Sequence, residues 1–277
     1  MPQQQPVPSR HIALVTGANH GIGEAIARRL AADGYPVVLS FLRLRREHHA
    51  AGLGLSERYW DARATDGEHI AQQLRENGRP AVAIESDLSD ERHIRTLFDF
   101  AADHFGEIDV LVHAASSWQP DTLAVADADE PSGRSPRPLT SESFDAQIAV
   151  DARAGALLIA EFARRHLERG ATWGRIVTLS SDGRDGFPRE VSYGAAKAAL
   201  ESITLAAAVE LGPAGVTSNV VHPAPTDTGW ITPAVADLIE AHTPRRRLGT
   251  PEATAGVVSM LASDQGDPLT GNRLRLH

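Results

Sequence analysis

The octet TGANHGIG (16–23) limits what this chain can fold into more than any other stretch. It follows HIALV (11–15), a short apolar run with the length and composition of a buried strand. After it Ile22, Ile26 and Leu30 recur at a spacing of four, the period of a helix face, and Gly34 stops that helix. Gly17, Gly21 and Gly23 therefore stand at a strand-to-helix junction. Glycine there permits a tight turn and lets a ligand reach the main chain. The helix that follows aims its first amides, and the positive end of its dipole, at the same point. The unit reads as a cradle for a dinucleotide diphosphate. The competing reading is a purely structural turn, because glycine spacing alone is a weak signal.

The rest of the chain repeats the alternation. Strand-like apolar runs at 36–41, 81–87, 108–115, 175–181, 216–223 and 272–276 are separated by helical stretches. These lie at 67–77, from a Ser89 cap to about Phe105, and at 140–169, 191–211, 230–241 and 250–262. Strands apolar on both faces and alternating with helices predict an α/β fold: a single doubly wound parallel sheet of about seven strands, with helices on both faces. Residues 1–10 are expected to be a Pro- and Gln-rich tail, and 11–277 a single domain. Two segments break the alternation. Residues 43–66 carry Arg43, Arg45, Arg46, His48, His49 and two glycines, and read as a surface excursion; 119–139 read as a long Pro-, Asp- and Gly-rich loop.

A net charge of −9 argues against nucleic acid as a partner. No apolar run approaches ~18 residues, so no membrane partner is expected. The absence of cysteine excludes disulfides, thiolate metal sites and a cysteine nucleophile, and fits a cytoplasmic enzyme. The twelve histidines are scattered without HxxxH or HExxH spacing, so no metal is expected.

SYGAAKAAL (192–200) carries the chemistry. Lys197 is the one lysine among 27 basic residues, and Tyr193 precedes it by four. Residues i and i+4 share a helix face. A nearby ammonium favours the phenolate, so the pair predicts a tyrosine tuned below its ordinary value of ~10, able to exchange a proton with a carbonyl or alcohol. An isolated YxxxK is weak and could be a chance surface pair; the glycine loop upstream gives it weight.

Taken together, TGANHGIG, Asp87-Leu88 after the third strand, Tyr193/Lys197 and HPAPTDT (222–228) stand in the order found in short-chain dehydrogenases/reductases, which the chain resembles from about residue 11 to 276. The resemblance implies an NAD(P) cofactor held by Gly17, Asn19, His20, Gly21, Ile22 and Gly23, by Asp87 and Leu88, and by His113, Ala114 and Ala115. Tyr193, Lys197, Pro223, Ala224, Thr226 and Thr228 complete that set. No acid ends the second strand (Ser40-Phe41-Leu42) to bind ribose hydroxyls. Arg43 follows, and an arginine fork suits a 2′-phosphate; His20 stands where many NADP-preferring relatives carry a base. NADP(H) is therefore expected over NAD(H), against the reading of RLRR as a solvated loop.

The resemblance also calls for a serine that binds the substrate oxygen. The family's usual count of 13 before the tyrosine selects Ser180, whereas the position on the strand selects Ser181; Ser181 is expected, because strand position fixes geometry better than loop length. Asp151 replaces the asparagine usual in the proton relay, and His113-Ala114-Ala115-Ser116 replaces Asn-Asn-Ala-Gly. Ser116 and Trp118 are similar to a run in pteridine reductases and, with Ser181 and Tyr193, are expected to meet substrate. The implied reaction is reduction of a ketone, or oxidation of the matching alcohol, on a small molecule or acyl thioester. Reduction of a pterin C=N, or cofactor binding without turnover in a sensor or scaffold, are the alternatives. A homotetramer or homodimer is implied, paired through 140–169 and 191–211.

Overall fold

The computed structural model describes residues 11–44, 56–124, 136–181, 183 and 186–277. The expected tail, Arg45, Arg46, His48, His49 and residues 125–135 of the long loop lie outside the described residues.

Seven strands form one parallel sheet: β1 (Ile12–Thr16), β2 (Val37–Phe41), β3 (Ala81–Glu85), β4 (Ile108–His113), β7 (Gly174–Leu179), β8 (Val216–His222) and β9 (Arg273–Arg275). Their order is β3-β2-β1-β4-β7-β8-β9, so the winding reverses between β1 and β4. In open α/β sheets the crevice at such a reversal, outside the carboxyl ends of the strands, is where ligands bind.

Pleating sends alternate β1 side chains to opposite faces. Ala13 and Val15 pack with α1 (Gly21–Ala32), α3 (Gly67–Glu76) and α9 (Pro251–Ala262). Ile12 and Leu14 pack with α4 (Arg92–His104), α6 (Ala154–Glu168) and α7 (Val191–Leu211). Side chains such as Leu14, Leu30, Phe98 and Phe162 are fully buried in these two layers. Each contributes ~1.5–3 kcal/mol relative to an exposed side chain. The remaining helix, α8 (Pro233–His242), follows β8, its first turn capped by Thr232.

Three local readings are corrected. Residues 43–66 are not merely a surface excursion: α2 (Glu57–Arg63) forms there, capped by Ser56, with Tyr59 and Trp60 buried. Seven residues make about two turns, too few to display a helical period. Ser89 does not cap α4; its side chain bonds Asp87 instead. The single helix expected over 140–169 is α5 (Ser141–Gln147), opened by a Thr140/Ser143 capping box, then a π-helical turn at Ile148–Arg153, then α6. Such turns recur at functional sites, and Asp151 lies in this one. The two ends of the 119–139 loop pair as a short parallel ribbon, β5 (Asp121–Thr122) with β6 (Arg137–Pro138).

Candidate active site

A cavity of about 890 Å³ opens at the carboxyl ends of β1, β4, β7 and β8. The glycine loop forms one end. Gly17 has φ +67°, and a Cβ there would lie 2.8 Å from the main chain of Ala115. A Cβ on Gly23 would lie 2.1 Å from the Gly17 carbonyl. His20 supplies no side-chain cap to α1, so the first-turn amides keep no side-chain acceptor. Those are the features a diphosphate requires: close main-chain approach and unspent donors at a positive helix end. The residues present therefore fit a dinucleotide. Thr16 Oγ1 accepts from the amides of Ala114 and Ala115, both at 3.2 Å, and so ties the β4 loop to β1 at the cleft floor.

Most of the expected contact residues line this one cavity. Gly17, Asn19, His20, Gly21, Ile22 and Gly23 form its glycine end, with Asp87 and Leu88 beside them. Ala114, Ala115, Ser116 and Trp118 follow along the β4 loop; Pro223, Ala224, Thr226 and Thr228 form the edge after β8. Ser181, Tyr193 and Lys197 stand at the far end.

Ser181 stands beside Tyr193, near enough to favour its phenolate, whereas the Ser180 hydroxyl donates to Glu201 Oε1 at 2.7 Å. Phe187 packs edge-on against the Tyr193 ring, with centroids 5.5 Å apart. Lys197 is buried; its Nζ donates to the Leu179 carbonyl at 2.9 Å and lies 2.9 Å from Asp151 Oδ1. Asp151 Oδ2 accepts from the Ser117 amide at 3.0 Å and from Gln147 Nε2 at 2.5 Å.

Five expectations change here. Tyr193 is not tuned downward: burial pushes the phenol up, and Asp151 adds to the rise, outweighing the opposing pull of Lys197 and of the neighbouring Ser181. Asp151 does not line the cavity; it sits behind Lys197 and positions it. His113 does not line it either. It is buried beneath the floor, its Nδ1 2.9 Å from Thr16 Oγ1, its ring against Gly155. Arg43 lies outside the cavity, its fork held by Glu85 at 2.5 Å and Asp66 at 3.2 Å. His20 lines the cavity but is no ready cation, since burial, helped by the Arg63 charge, holds its pKa down to about 4.

A model of the family described as enoyl-(acyl carrier protein) reductase matches residues 46–276, and one described as short chain dehydrogenase matches 11–56. The chain belongs to the short-chain dehydrogenase/reductase family. An uncharacterized oxidoreductase of Bacillus subtilis is 31% identical over 94% of this chain and 92% of its own. The acetoacetyl-CoA reductase of Cupriavidus necator is 31% identical over 95% of each. A short-chain dehydrogenase from Burkholderia cenocepacia, solved in complex with NADP, superposes with a TM-score of 0.77 at 30% identity, covering 97% of this chain and 96% of that one.

This short-chain dehydrogenase/reductase has a second cavity wall that sequence reasoning missed. Tyr59, Trp60 and Arg63 of α2 face the cavity. The Tyr59 ring stands edge-on to Trp118, centroids 6.2 Å apart. Ser56 Oγ donates to the Gly229 carbonyl at 2.8 Å, and Arg58 pairs with Asp227 at 2.9 Å, so α2 reaches the segment after β8. The run SERYW, a cap followed by two aromatics, was the available signal.

Proposed function

We propose that the protein is an NADP(H)-dependent oxidoreductase that reduces a ketone, or oxidises the matching alcohol, on a small molecule or acyl thioester. The observation that carries the reading is the meeting of Ser181, Tyr193 and Lys197 at one end of a cavity whose other end is the glycine loop. NADP(H), when bound, supplies or accepts the hydride. Gly17, Gly21 and Gly23, with the first amides of α1, would hold its diphosphate.

Tyr193 gives its proton to the carbonyl oxygen. Its raised pKa keeps it protonated at neutral pH, which suits the reductive direction. Ser181 donates a hydrogen bond to the same oxygen and steadies the charge developing there. Lys197 keeps its ammonium: burial alone would lower its pKa, but Asp151 and Tyr193 outweigh that and raise it. The phenolate left after proton transfer is then stabilised by that cation.

The preference for NADP(H) over NAD(H) is supported by the lack of an acid after β2, where Leu42 lines the cavity, and by the NADP bound to the Burkholderia relative. Trp118 in the cavity wall supports a second reading, reduction of a pterin stacked on that ring. Pairing into a homodimer or homotetramer is supported by the exposed apolar side chains Phe144, Leu167 and Val209 on α5, α6 and α7. Among the described residues no helix is long and apolar enough to cross a membrane; with no cysteine, the working location is the cytoplasm.

The test is titration with NADPH and NADH, followed by absorbance at the nicotinamide band with ketone, acyl-thioester and pterin substrates, beside Tyr193→Phe. Oxidation of NADPH by wild type that disappears in Tyr193→Phe supports the reading. Binding without turnover on any substrate would favour the non-catalytic sensor or scaffold, and no binding of either nucleotide would sink both.

A further inference from the structure

We propose that Arg63, on the helix inserted between β2 and α3, is the arginine that binds a phosphate of the dinucleotide and sets nucleotide affinity in this protein. The inference rests on the dinucleotide-binding reading above and names the cation within it.

The two basic residues that the sequence put forward for this role do not carry a free charge into the cavity. Arg43 is turned to Glu85 and Asp66, two carboxylates for one guanidinium. His20 lines the cavity as a neutral ring. Arg63 differs on both counts: it lines the cavity, and among the described residues it forms no ion pair with a carboxylate. Its Nη1 donates to the Tyr59 hydroxyl at 2.7 Å and its Nη2 to the Ser116 carbonyl at 3.2 Å. Both partners are neutral. A guanidinium has five N–H donors in a planar fork, so most of the fork is left for an anion.

Placement points to phosphate. Asn19, inside the glycine loop, donates through Nδ2 to the main-chain carbonyls of Arg63 at 3.3 Å and Thr65 at 2.9 Å. The end of α2 is thereby laced to the loop that cradles the diphosphate. The Arg63 charge is close enough to act on the His20 ring. Its two neutral bonds and the cap of α2 on Gly229 hold the fork in place before any ligand arrives, so little side-chain freedom is lost on binding. A preorganised fork matches phosphate oxygens in pairs. The phosphate can be the 2′-monoester, found on NADPH and lacking on NADH, or the diphosphate that both carry.

The experiment is nucleotide titration of the full chain, read by quenching of tryptophan fluorescence rather than by turnover. Wild type, Arg63→Met and Arg43→Met are each titrated with NADPH and NADH at low and high NaCl, after circular dichroism has confirmed folding. Arg63→Met is expected to weaken NADPH binding by roughly tenfold or more, a loss that shrinks as salt screens the charge. If NADH is weakened equally, the contact is to the diphosphate; if NADH is unaffected, it is to the 2′-phosphate. Loss of packing alone would leave the salt dependence unchanged. Tyr59→Phe keeps the charge and removes one tether, so it is expected to weaken NADPH binding less than Arg63→Met. Wild-type affinity for both nucleotides in Arg63→Met, with loss in Arg43→Met instead, would overturn the inference and leave the dinucleotide reading intact. Failure of wild type to bind either nucleotide would overturn both.

Discussion

Lys197 Nζ lies 2.9 Å from Asp151 Oδ1, with both side chains buried beside Tyr193. The carboxylate balances the ammonium that would otherwise draw the phenol toward ionisation, and it raises the Tyr193 pKa directly. Asp151→Asn removes that contribution, so the Tyr193 pKa falls. Ketone reduction uses the protonated phenol and is lost as pH rises through its pKa. The basic limb of the kcat/KM profile should therefore move to lower pH in Asp151→Asn, and the alcohol-oxidation limb should move the same way. A profile that superposes on wild type would show that Asp151 does not set the acid. Asp151→Ala leaves a buried cation unpaired and should cost ~3–5 kcal/mol in urea unfolding.

Ser181 and Ser180 are neighbours on the chain with different surroundings: Ser181 stands beside Tyr193, and Ser180 donates to Glu201. Ser181→Ala should lower kcat by about 10²–10³, the range for removing one donor to a developing oxyanion. Ser180→Ala should leave kcat near wild type and lower stability by ~1–3 kcal/mol, since it breaks a bond to a carboxylate. Steady-state kinetics beside denaturant melts separate the two; the reverse pattern would move the role to Ser180.

His113 is buried, and burial, with the nearby Lys197 charge, holds its pKa down to about 4, against an ordinary 6.5. On acidification the unfolded chain takes up a proton first. The associated stability is complete above 6.5 and is lost as pH falls toward about 4. The loss is on the order of 3 kcal/mol at most. Urea midpoints at several pH values should fall across this window in wild type and fall less in His113→Asn. Parallel curves would rule His113 out as the source.

Gly17 adopts φ +67° under the main chain of Ala115. Gly17→Ala adds both a strained φ and a methyl 2.8 Å from that main chain. Affinity for NADPH should fall by more than about tenfold, because the cradle must open to admit the methyl. The melting temperature should fall as well. Unaltered binding by fluorescence titration would show that this turn does not meet the nucleotide.

The sequence by itself determined the sheet, most of its helices, the small residues of the cradle and the Tyr193/Lys197 pairing, because these follow from local rules. A strand buried on both faces must be a short apolar run, as at 12–16 and 108–113. A helix packed on it must repeat its apolar face, as Ile22, Ile26 and Leu30 do on α1, and a main-chain cradle must use glycine. The Tyr193/Lys197 pair was legible because i and i+4 meet on any helix. Charge pairing followed no such rule. Arg43 read as a phosphate ligand until the fold brought Glu85, 42 residues away, onto its fork. Asp151 stood at the relay position by sequence, but its carboxylate reaches 2.9 Å from Lys197 only through the π-helical turn. Arg63 and the aromatics of α2 gave little signal, since two turns of helix show no period, and their facing Ser116 and Gly229 depends on where the chain returns. Apolar periodicity is a property of neighbours along the chain. Which carboxylate neutralises which cation, and which cation is left for a ligand, is a property of neighbours in space, and only the tertiary structure decided it.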